Sequence, residues 1–393
     1  MSWPTVPLGD IFQIARGGSP RPIDNYITDD ADGVNWVSIR DASNSSKFIT
    51  KTEKKIRPAG VAKSRMVYPG DFLLTNSMSF GRPYILQTTG CIHDGWLVLS
   101  SDKSVVDQDF FYHLLGSEVV YKKFAKLAAG AVVKNLNCDL VKTVKVPLPP
   151  LPEQRRIAAI LDKADALRAK RRAAIAKLDQ LLQSMFLDMF GDPVTNPKNW
   201  PTVALSDVTT KIGSGATPTG GDESYKKEGI ALIRSMNVHD GKFRWAKIAH
   251  IDKEQAQKLR NVVVEFDDVL LNITGASVAR VCRAPIAVLP ARVNQHVAII
   301  RCGSLISPTY LEYALMSPPM KAKLLRTAES GATRQAITKA EIEKIVVALP
   351  PIDKQKEFAH VAERASGQID KGQKSSQRIE ALFATLQSQV FGA

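Results

Sequence analysis

The sequence has few cysteines and no long apolar run. Its 393 residues include 4 cysteines, none in a C-x-x-C pair. This argues against a zinc ribbon or a disulfide scaffold and fits a reducing cytoplasm. No apolar run approaches the roughly 18 residues that span a bilayer, and the first residues do not resemble a signal peptide. We therefore expect a cytoplasmic protein that does not bind membranes.

Acidic residues are outnumbered by basic ones. Lys and Arg total 53 against 39 for Asp and Glu, which gives a formal net charge of +14. This surplus does not set the fold, but it predicts affinity for a polyanion. The composition, 44% hydrophobic and 23% charged, is ordinary for globular chains, so extensive disorder is not expected.

Motifs for catalysis or cofactor binding are missing. The glycine-rich segment 213–221 lacks the Lys of a phosphate-binding P-loop. Pro149-Pro150 lacks the flanking residues of an adenine methyltransferase loop, and Glu53-Lys54-Lys55 matches a metal-dependent nuclease only loosely. His93 and His296 fall at similar places in two repeats but have no metal-ligand spacing. We expect no metal and no cofactor. Two interpretations stay open beside a non-catalytic DNA-recognition protein. One is an enzyme, a nuclease or a DNA methyltransferase, whose motif is unrecognised. The other is an adaptor protein that never touches DNA.

The chain is one unit written twice. Five segments recur in the same order and at nearly the same offset, which chance does not explain. The matched segments are 3–11 with 200–208, 71–75 with 268–272, 129–136 with 330–337, 148–154 with 349–355, and 190–191 with 391–392.

Each repeat predicts a mixed domain followed by a long helix. In the mixed part, β-branched and aromatic runs are separated by turn residues. We predict strands at 72–74, 96–99 and 297–300, and helices at 109–126 and 308–327. Pro152 suits the first turn of a helix, and no Pro or Gly follows until Gly191. Apolar residues at steps of three and four predict a coiled-coil helix about 57 Å long.

These patterns predict an α+β fold built by tandem duplication. Two globular mixed α/β domains are separated by two long antiparallel coiled-coil helices, with pseudo-two-fold symmetry. Gly367 and Gly372 predict a less regular or bent second helix. The expected boundaries are 1–148 and 192–348 for the globular domains, and 149–191 and 349–393 for the helices.

Candidate DNA-contact residues are the cations, amides and hydroxyls that both repeats place in loops. Arg and Lys suit phosphates, while Asn, Gln and Arg can read base edges. In the first repeat they are Arg16, Ser19, Arg21, Arg40, Asn76, Ser77, Ser79, Arg82, Lys134 and Asn135. In the second they are Ser214, Thr217, Arg234, Asn237, Asn272, Thr274, Ser277, Arg280, Arg292, Asn294, Gln295, Arg334 and Gln335. Turn formation and ordinary surface charge are the alternative explanation for each.

A family resemblance rests on features spread over nearly the whole chain. Trp-Pro pairs open both repeats at Trp3 and Trp200, Leu-Pro-Pro precedes both long helices at Leu148 and Leu349, and Phe190-Gly191-Asp192-Pro193 follows the first. In these features the chain resembles the specificity (S) subunits of type I restriction–modification systems.

The resemblance implies a non-catalytic subunit that recognises double-stranded DNA. Each globular domain would be a target recognition domain reading one half of a bipartite DNA site, and the coiled coil would fix the gap between the halves. It also implies partners: two adenine-N6 methyltransferase (M) subunits docked on the helices, and translocating restriction (R) subunits.

Overall fold

The structure is a computed structural model, and it describes residues 3–76, 81–102, 104–129, 136–218, 220–329 and 335–392, except for the side chains of Ala129 and Asp222. The chain divides into two units. The first comprises Met1–Ala173 and Lys374–Ala393, and the second comprises Ala174–Gln373. Within the described residues, no helix is both long enough and apolar enough to cross a bilayer.

The first unit contains short strands, short helices and the beginning of a long helix. Its strands are β1 (Thr5–Pro7), β2 (Phe12–Arg16), β3 (Ile27–Thr28), β4 (Val34–Val37), β5 (Phe48–Ile49), β6 (Lys54–Ile56), β7 (Arg65–Val67), β8 (Phe72–Thr75), β9 (Pro83–Leu86), β10 (Gly90–Ile92), β11 (Trp96–Ser101) and β12 (Lys145–Pro147). The helices are α1 (Leu8–Ile11), α2 (Ile39–Ser43), α3 (Pro58–Val61), α4 (Gln108–Leu115), α5 (Glu118–Ala129), α6 (Cys138–Lys142) and the long α7 (Leu151–Phe190).

Two sheets form the globular part of the first unit. One has the strand order β2-β11-β8-β9-β5, and the other has the order β3-β6-β4-β10-β7. β2, β11, β8 and β9 pair antiparallel, whereas β4 and β10 pair parallel. β1 and β12 form a separate antiparallel ribbon that joins the start of the domain to its end.

The second unit repeats this plan. Its strands are β13 (Thr202–Ala204), β14 (Thr209–Ser214), β15 (Ile230–Ile233), β16 (Val238–His239), β17 (Lys242–Phe243), β18 (Ala249–Ile251), β19 (Val263–Val264), β20 (Val269–Asn272), β21 (Val281–Arg283), β22 (Ala291–Val293), β23 (Val297–Cys302) and β24 (Val346–Ala348). The helices are α8 (Leu205–Val208), α9 (Lys253–Lys258), α10 (Pro308–Met316), α11 (Pro318–Glu329), α12 (Lys339–Glu343) and the long α13 (Ile352–Phe391).

The main sheets of the two units share the order of four strands each. The order β14-β23-β20-β21 matches β2-β11-β8-β9, and β18-β15-β22-β19 matches β6-β4-β10-β7. The parallel pair recurs as β15 and β22. Strand pairing aligns Arg16 with Leu97 and Ser214 with Ala298, so Arg16 and Ser214 hold equivalent places. The tandem α+β fold is thereby confirmed.

In the first unit, the two long helices run antiparallel against the core. Ile157, near the start of α7, shares a hydrophobic cluster with Phe391, at the end of α13. Further along α7, the Arg168 guanidinium lies 4.5 Å from the ring centroid of Phe383 and 3.6 Å from the Glu380 carboxylate. Position therefore increases along α7 as it decreases along α13.

The second unit shows the same antiparallel packing. Phe186 and Phe190, at the end of α7, contact Phe358 near the start of α13, with ring centroids 5.4 and 5.7 Å apart. Earlier on α7, Ile175 approaches Gly372, where a Cβ would lie 3.3 Å from the isoleucine side chain. Aromatic packing thus anchors the helix ends in this unit.

The predicted loss of regularity in the second helix is wrong, while its bending stays a prediction. α13 is α-helical without interruption from Ile352 to Phe391, through both Gly367 and Gly372. Glycine costs about 1 kcal/mol relative to alanine inside a helix, which apolar packing offsets. At Gly372 the missing side chain also lets Ile175 pack closely.

Two helices predicted as single pieces are each interrupted. Segment 109–126 forms α4 and α5, and segment 308–327 forms α10 and α11. The first break falls at Gly116-Ser117, where the Ser117 hydroxyl accepts a hydrogen bond from the Val120 amide, 3.3 Å away. The second falls at Ser317, because the following Pro318 disfavours a helical conformation in the residue before it. The predicted strands are confirmed as parts of β8, β11 and β23.

A buried glutamine fastens each long helix to its domain. Gln154 accepts from the Asp107 amide at 2.8 Å and donates to the carbonyls of Val105 and Pro149 at 3.0 and 2.8 Å. Gln355 repeats all three contacts with Ser307, Leu305 and Pro350. The duplicated glutamine is therefore a structural latch at the start of each helix.

Candidate nucleic-acid interface

In the first unit, a glycine loop follows β2 and crosses the turn before β11. A Cβ at Gly17 would lie 2.1 Å from the His93 carbonyl oxygen, so only glycine fits. The Gly17 and Gly18 amides donate to the carbonyls of Trp96 and Ile92 at 3.0 and 3.1 Å. The loop and the turn are thus fixed to each other.

Asp94, in that turn, gathers the basic loop around it. Its carboxylate accepts from the Ser19 hydroxyl at 2.7 Å and from the Arg21 guanidinium at 3.2 Å. Its carbonyl accepts from Arg16 and Asn76 at 2.9 and 2.7 Å. The hydrogen bond from Ser19, aided by Arg21, holds the pKa of Asp94 below its ordinary value. The carboxylate is 42% exposed and faces solvent as a charged acceptor.

The second unit builds the same loop from different side chains. A Cβ at Gly215 would lie 1.8 Å from the Val293 carbonyl oxygen, and the Gly215 amide donates to the carbonyl of Asn294 at 3.1 Å. Two residues later, the Thr217 hydroxyl donates to the amide oxygen of Gln295. Thr217 and Gln295 therefore stand where Ser19 and Asp94 stand in the first unit.

A hydrogen-bonded chain continues from Gln295. Its amide nitrogen lies 3.0 Å from Nε2 of His296, whose Nδ1 lies 2.5 Å from the Thr274 hydroxyl. An amide nitrogen can only donate, so in this orientation of the Gln295 amide the nitrogen donates to Nε2, and the neutral imidazole carries its proton on Nδ1. His296 then donates to Thr274, which leaves the Thr274 hydroxyl hydrogen available to a ligand.

The chain ends at an open cavity of about 430 Å³ in the second unit. Its lining is Ser235, Met236, Thr274, Gly275, Ala276, Ser277, Arg280 and His296. The Arg280 side chain makes no hydrogen bond or ion pair with the residues that the structure describes. The Gly275 amide donates to the carbonyl of the exposed Gln335 at 3.1 Å, which brings Gln335 to the cavity. A cation and hydroxyls that face solvent can bind phosphate or base edges.

Arg82 is the counterpart of Arg280 in the first unit. Each follows a residue with positive φ, Gly81 at 80° and Ala279 at 65°. Arg82 is exposed, with its guanidinium 5.2 Å from the ring centroid of Tyr84. The repeat therefore places one arginine directly after a residue with positive φ at equivalent positions in both units. Ser214 is also exposed, at the end of β14.

Four predicted asparagines are buried and hold loops together. Asn76 bonds to Asp94 as described, and Asn237 bonds to the Arg234 amide and the Arg244 carbonyl at 3.0 and 2.9 Å. The other two are Asn272, which donates to the Ser235 carbonyl at 2.9 Å, and Asn294, which accepts from the His296 amide at 3.0 Å. Because these four side chains are only 0–4% exposed, they position neighbouring residues and do not face a ligand.

Three further predicted arginines lie outside the cavity. Arg234 donates to the Lys247 carbonyl at 2.7 Å. Arg292 donates to the carbonyls of Ala256 and Ala291 at 3.3 and 2.9 Å, and burial lowers its pKa. Arg40 is exposed on α2, with Nε 3.6 Å from a Glu53 carboxylate oxygen. None of the three lines the cavity.

Five predicted contact residues lie outside the described residues. They are Ser77, Ser79, Lys134, Asn135 and Arg334.

Sequence reasoning missed Asp94 and did not include His296 among the candidate contact residues. An acidic residue is not an obvious ligand for DNA, and a lone histidine is usually packed or hydrogen-bonded. The available signal was the repeat itself, because aligning Trp96 with Val297 sets Asp94 opposite Gln295.

Known proteins share both the duplication and the fold. The family model of the type I restriction modification DNA specificity domain matches the chain twice, over residues 2–177 and 197–381. The chain is thus a tandem of two such domains. It belongs to the family of type I restriction–modification specificity proteins, which confirms the resemblance.

Individual relatives agree with this family. The type I restriction enzyme MjaVIII specificity subunit of Methanocaldococcus jannaschii is 24% identical over 398 residues, which cover 96% of this chain and 89% of the relative. The EcoBI specificity subunit of Escherichia coli is 22% identical over 400 residues, covering 94% and 80%. The crystal structure of a type I S subunit from M. genitalium matches with a TM-score of 0.62 at 14% identity, covering 100% of this chain and 96% of that one. This structural likeness concerns the fold alone.

Proposed function

We propose that the chain is the DNA sequence-specificity subunit of a type I restriction–modification complex. Each globular domain reads one half of a bipartite DNA site, and the subunit itself performs no catalysis. The observation that carries this proposal is the duplicated DNA specificity domain. The net charge of +14 supports it, because phosphate contacts need cations.

The long helices act as spacer and docking platform. Half-sites about one helical turn apart, some 34–36 Å, place two readers on one face of a duplex, and helices hold such a distance better than a flexible linker. Two adenine-N6 methyltransferase subunits dock on the helices, restriction subunits join them, and the complex works in the cytoplasm. The domain boundaries 1–148, 149–191, 192–348 and 349–393 remain our proposal for the parts.

The equivalent arginines Arg82 and Arg280 test the two-reader arrangement. In the complex with its methyltransferase subunits, Arg280→Ala changes recognition of one half-site and Arg82→Ala changes recognition of the other. A base contact by arginine is worth about 1–3 kcal/mol, so we expect at least a fivefold loss of discrimination in one half. Sequencing of methylated sites in cells that carry each variant measures this.

Arg260→Ala is the charge-matched control, because Arg260 is exposed and does not line the cavity. It should leave both half-sites unchanged. Equal changes in both halves with a single arginine variant would overturn the two-reader arrangement. Cleavage or methylation by the purified chain alone would favour the enzyme alternative, and an assembled complex without salt-sensitive DNA binding would favour the adaptor.

A further inference from the structure

The most informative feature beyond the family assignment is one clasp built twice with different side chains. In each unit, a glycine packs against the turn before β11 or β23, and a hydroxyl two residues later hydrogen-bonds to a side chain of that turn. We call this arrangement the clasp; its residues are Gly17, Ser19 and Asp94 in the first unit, and Gly215, Thr217 and Gln295 in the second. The hydroxyl is conserved between repeats as Ser19 and Thr217. The residue it holds changes from Asp94 to Gln295.

The clasped side chains are fixed on one side and open on the other. Asp94 receives hydrogen bonds from Ser19 and Arg21, yet 42% of its side chain stays exposed. Gln295 is exposed too, with its oxygen bound by Thr217 and its nitrogen bound to His296. A side chain held in one orientation by its neighbours loses little entropy on binding, so it discriminates between ligands well.

The unused bonding capacity of the two side chains differs. A carboxamide has two acceptor sites and two donor hydrogens, so Gln295 keeps one of each after its two contacts. An ionised carboxylate only accepts, so Asp94 offers acceptors alone. The lowered pKa of Asp94 keeps it in that form at neutral pH.

These capacities match different bases. One donor beside one acceptor fits the N7 and N6 edge of adenine, which glutamine reads in a bidentate manner. An acceptor fits the N4 amino group of cytosine.

We propose that positions 94 and 295 are equivalent specificity determinants, one in each recognition domain. Gln295 reads an adenine in one half-site, and Asp94 reads the amino group of a cytosine in the other. This inference rests on the proposed function and deepens it. The clasp hydroxyls of Ser19 and Thr217 are positioning residues, which orient the reading side chain without touching the base.

The surroundings of the clasps support a common surface. In the second unit, His296 links Gln295 to the cavity that holds Arg280. In the first unit, the Asp94 carbonyl binds Asn76, and the Gly95 carbonyl accepts from the Asn76 amide at 3.1 Å. Each clasp thus lies beside the residue that follows β8 or β20, the strands that precede Arg82 and Arg280 in the chain.

The test changes donor and acceptor pattern while keeping shape. The complex of the full chain with its methyltransferase subunits is given a library of duplexes with both half-sites randomised, and methylated products are sequenced. Gln295→Glu removes the donor, so preference at one base pair of one half-site should shift from adenine towards cytosine by about tenfold. Asp94→Asn adds a donor and should shift one base pair of the other half-site in the opposite direction. The unfolding midpoint of each variant checks that these near-isosteric changes leave the fold intact.

Clasp variants separate orientation from reading. Ser19→Thr should keep the wild-type profile, because threonine already performs this role in the second unit. Ser19→Ala should broaden preference at the base pair read by Asp94 and leave the other half-site unchanged.

Two results would overturn the inference while the proposed function stands. One is a wild-type bipartite profile with unchanged base preferences in both Gln295→Glu and Asp94→Asn. The other is a shift of both half-sites by either variant alone. Failure of the proposed function looks different, because the wild-type complex itself would then methylate no defined bipartite sequence.

Discussion

Replacing Gln154 by alanine should loosen the first long helix from its domain. The side chain is 1% exposed and serves three main-chain groups, the Asp107 amide and the carbonyls of Val105 and Pro149. Alanine reaches none of them, and water has little access to replace it. Each hydrogen bond contributes about 1 kcal/mol net, so three give a loss of about 3 kcal/mol.

A local measurement fits this perturbation best, because the chain has two units and need not unfold in one step. Amide hydrogen exchange at Asp107 reports directly on the lost acceptor. A loss of about 3 kcal/mol corresponds to roughly hundredfold faster exchange through local opening. Gln355→Ala should produce the same change at the Ser307 amide.

The control is Gln180→Ala, because Gln180 is exposed on the same helix. This variant should leave exchange at Asp107 unchanged. If Gln154→Ala also left that amide fully protected and the denaturation midpoint of the chain unchanged, the assignment of the glutamine as a latch would be wrong.

Two further predictions concern the glycine loop and pH. Gly215→Ala should destabilise the second unit by several kcal/mol in chemical denaturation, since the new Cβ would lie 1.8 Å from the Val293 carbonyl oxygen. Gly213→Ala is the control, because a Cβ there would meet no atom within 4 Å. An equal loss of unfolding free energy in both variants would contradict the close-approach argument. Burial lowers the pKa of His113 below 6.5, despite the contact of its ring with Asp162 at 2.8 Å, so the folded state favours the neutral ring. The contribution of the neutral ring to the free energy of unfolding is therefore lost as the pH falls below about 6.5. His113→Gln should flatten the fall of the unfolding midpoint over that range, and an unchanged pH profile would refute the linkage.

Much of the fold was predictable because its signals are local or repeated. The start of α7 near Pro152 and its end before Gly191 follow from the missing amide of proline and the backbone freedom of glycine. The duplication needed only comparison of the chain with itself. Tertiary packing decided the continuous α13, where contact with Ile175 accompanies Gly372. The breaks at Gly116-Ser117 and Ser317 depended on side-chain capping and proline geometry, which the helical periodicity masked.

The candidate surface was less predictable than the fold. Residue type correctly suggested polar loops, but it did not separate side chains that face solvent from those that hold the loops. Asn237 and Asn294 are of a residue type that can read base edges, but both are buried and hydrogen-bonded to main-chain groups. Asp94 has the wrong charge for a DNA-binding residue, and only its clasp with Ser19 draws attention to it.

The sequence by itself determined the duplication, the two long helices and the family, because each is carried by order, spacing and composition along the chain. Only the tertiary structure decided which polar groups remain available to a ligand. Polar side chains form hydrogen bonds with residues far apart in sequence, as Thr217 does with Gln295. The sequence alone therefore does not show which donors and acceptors are already paired within the protein.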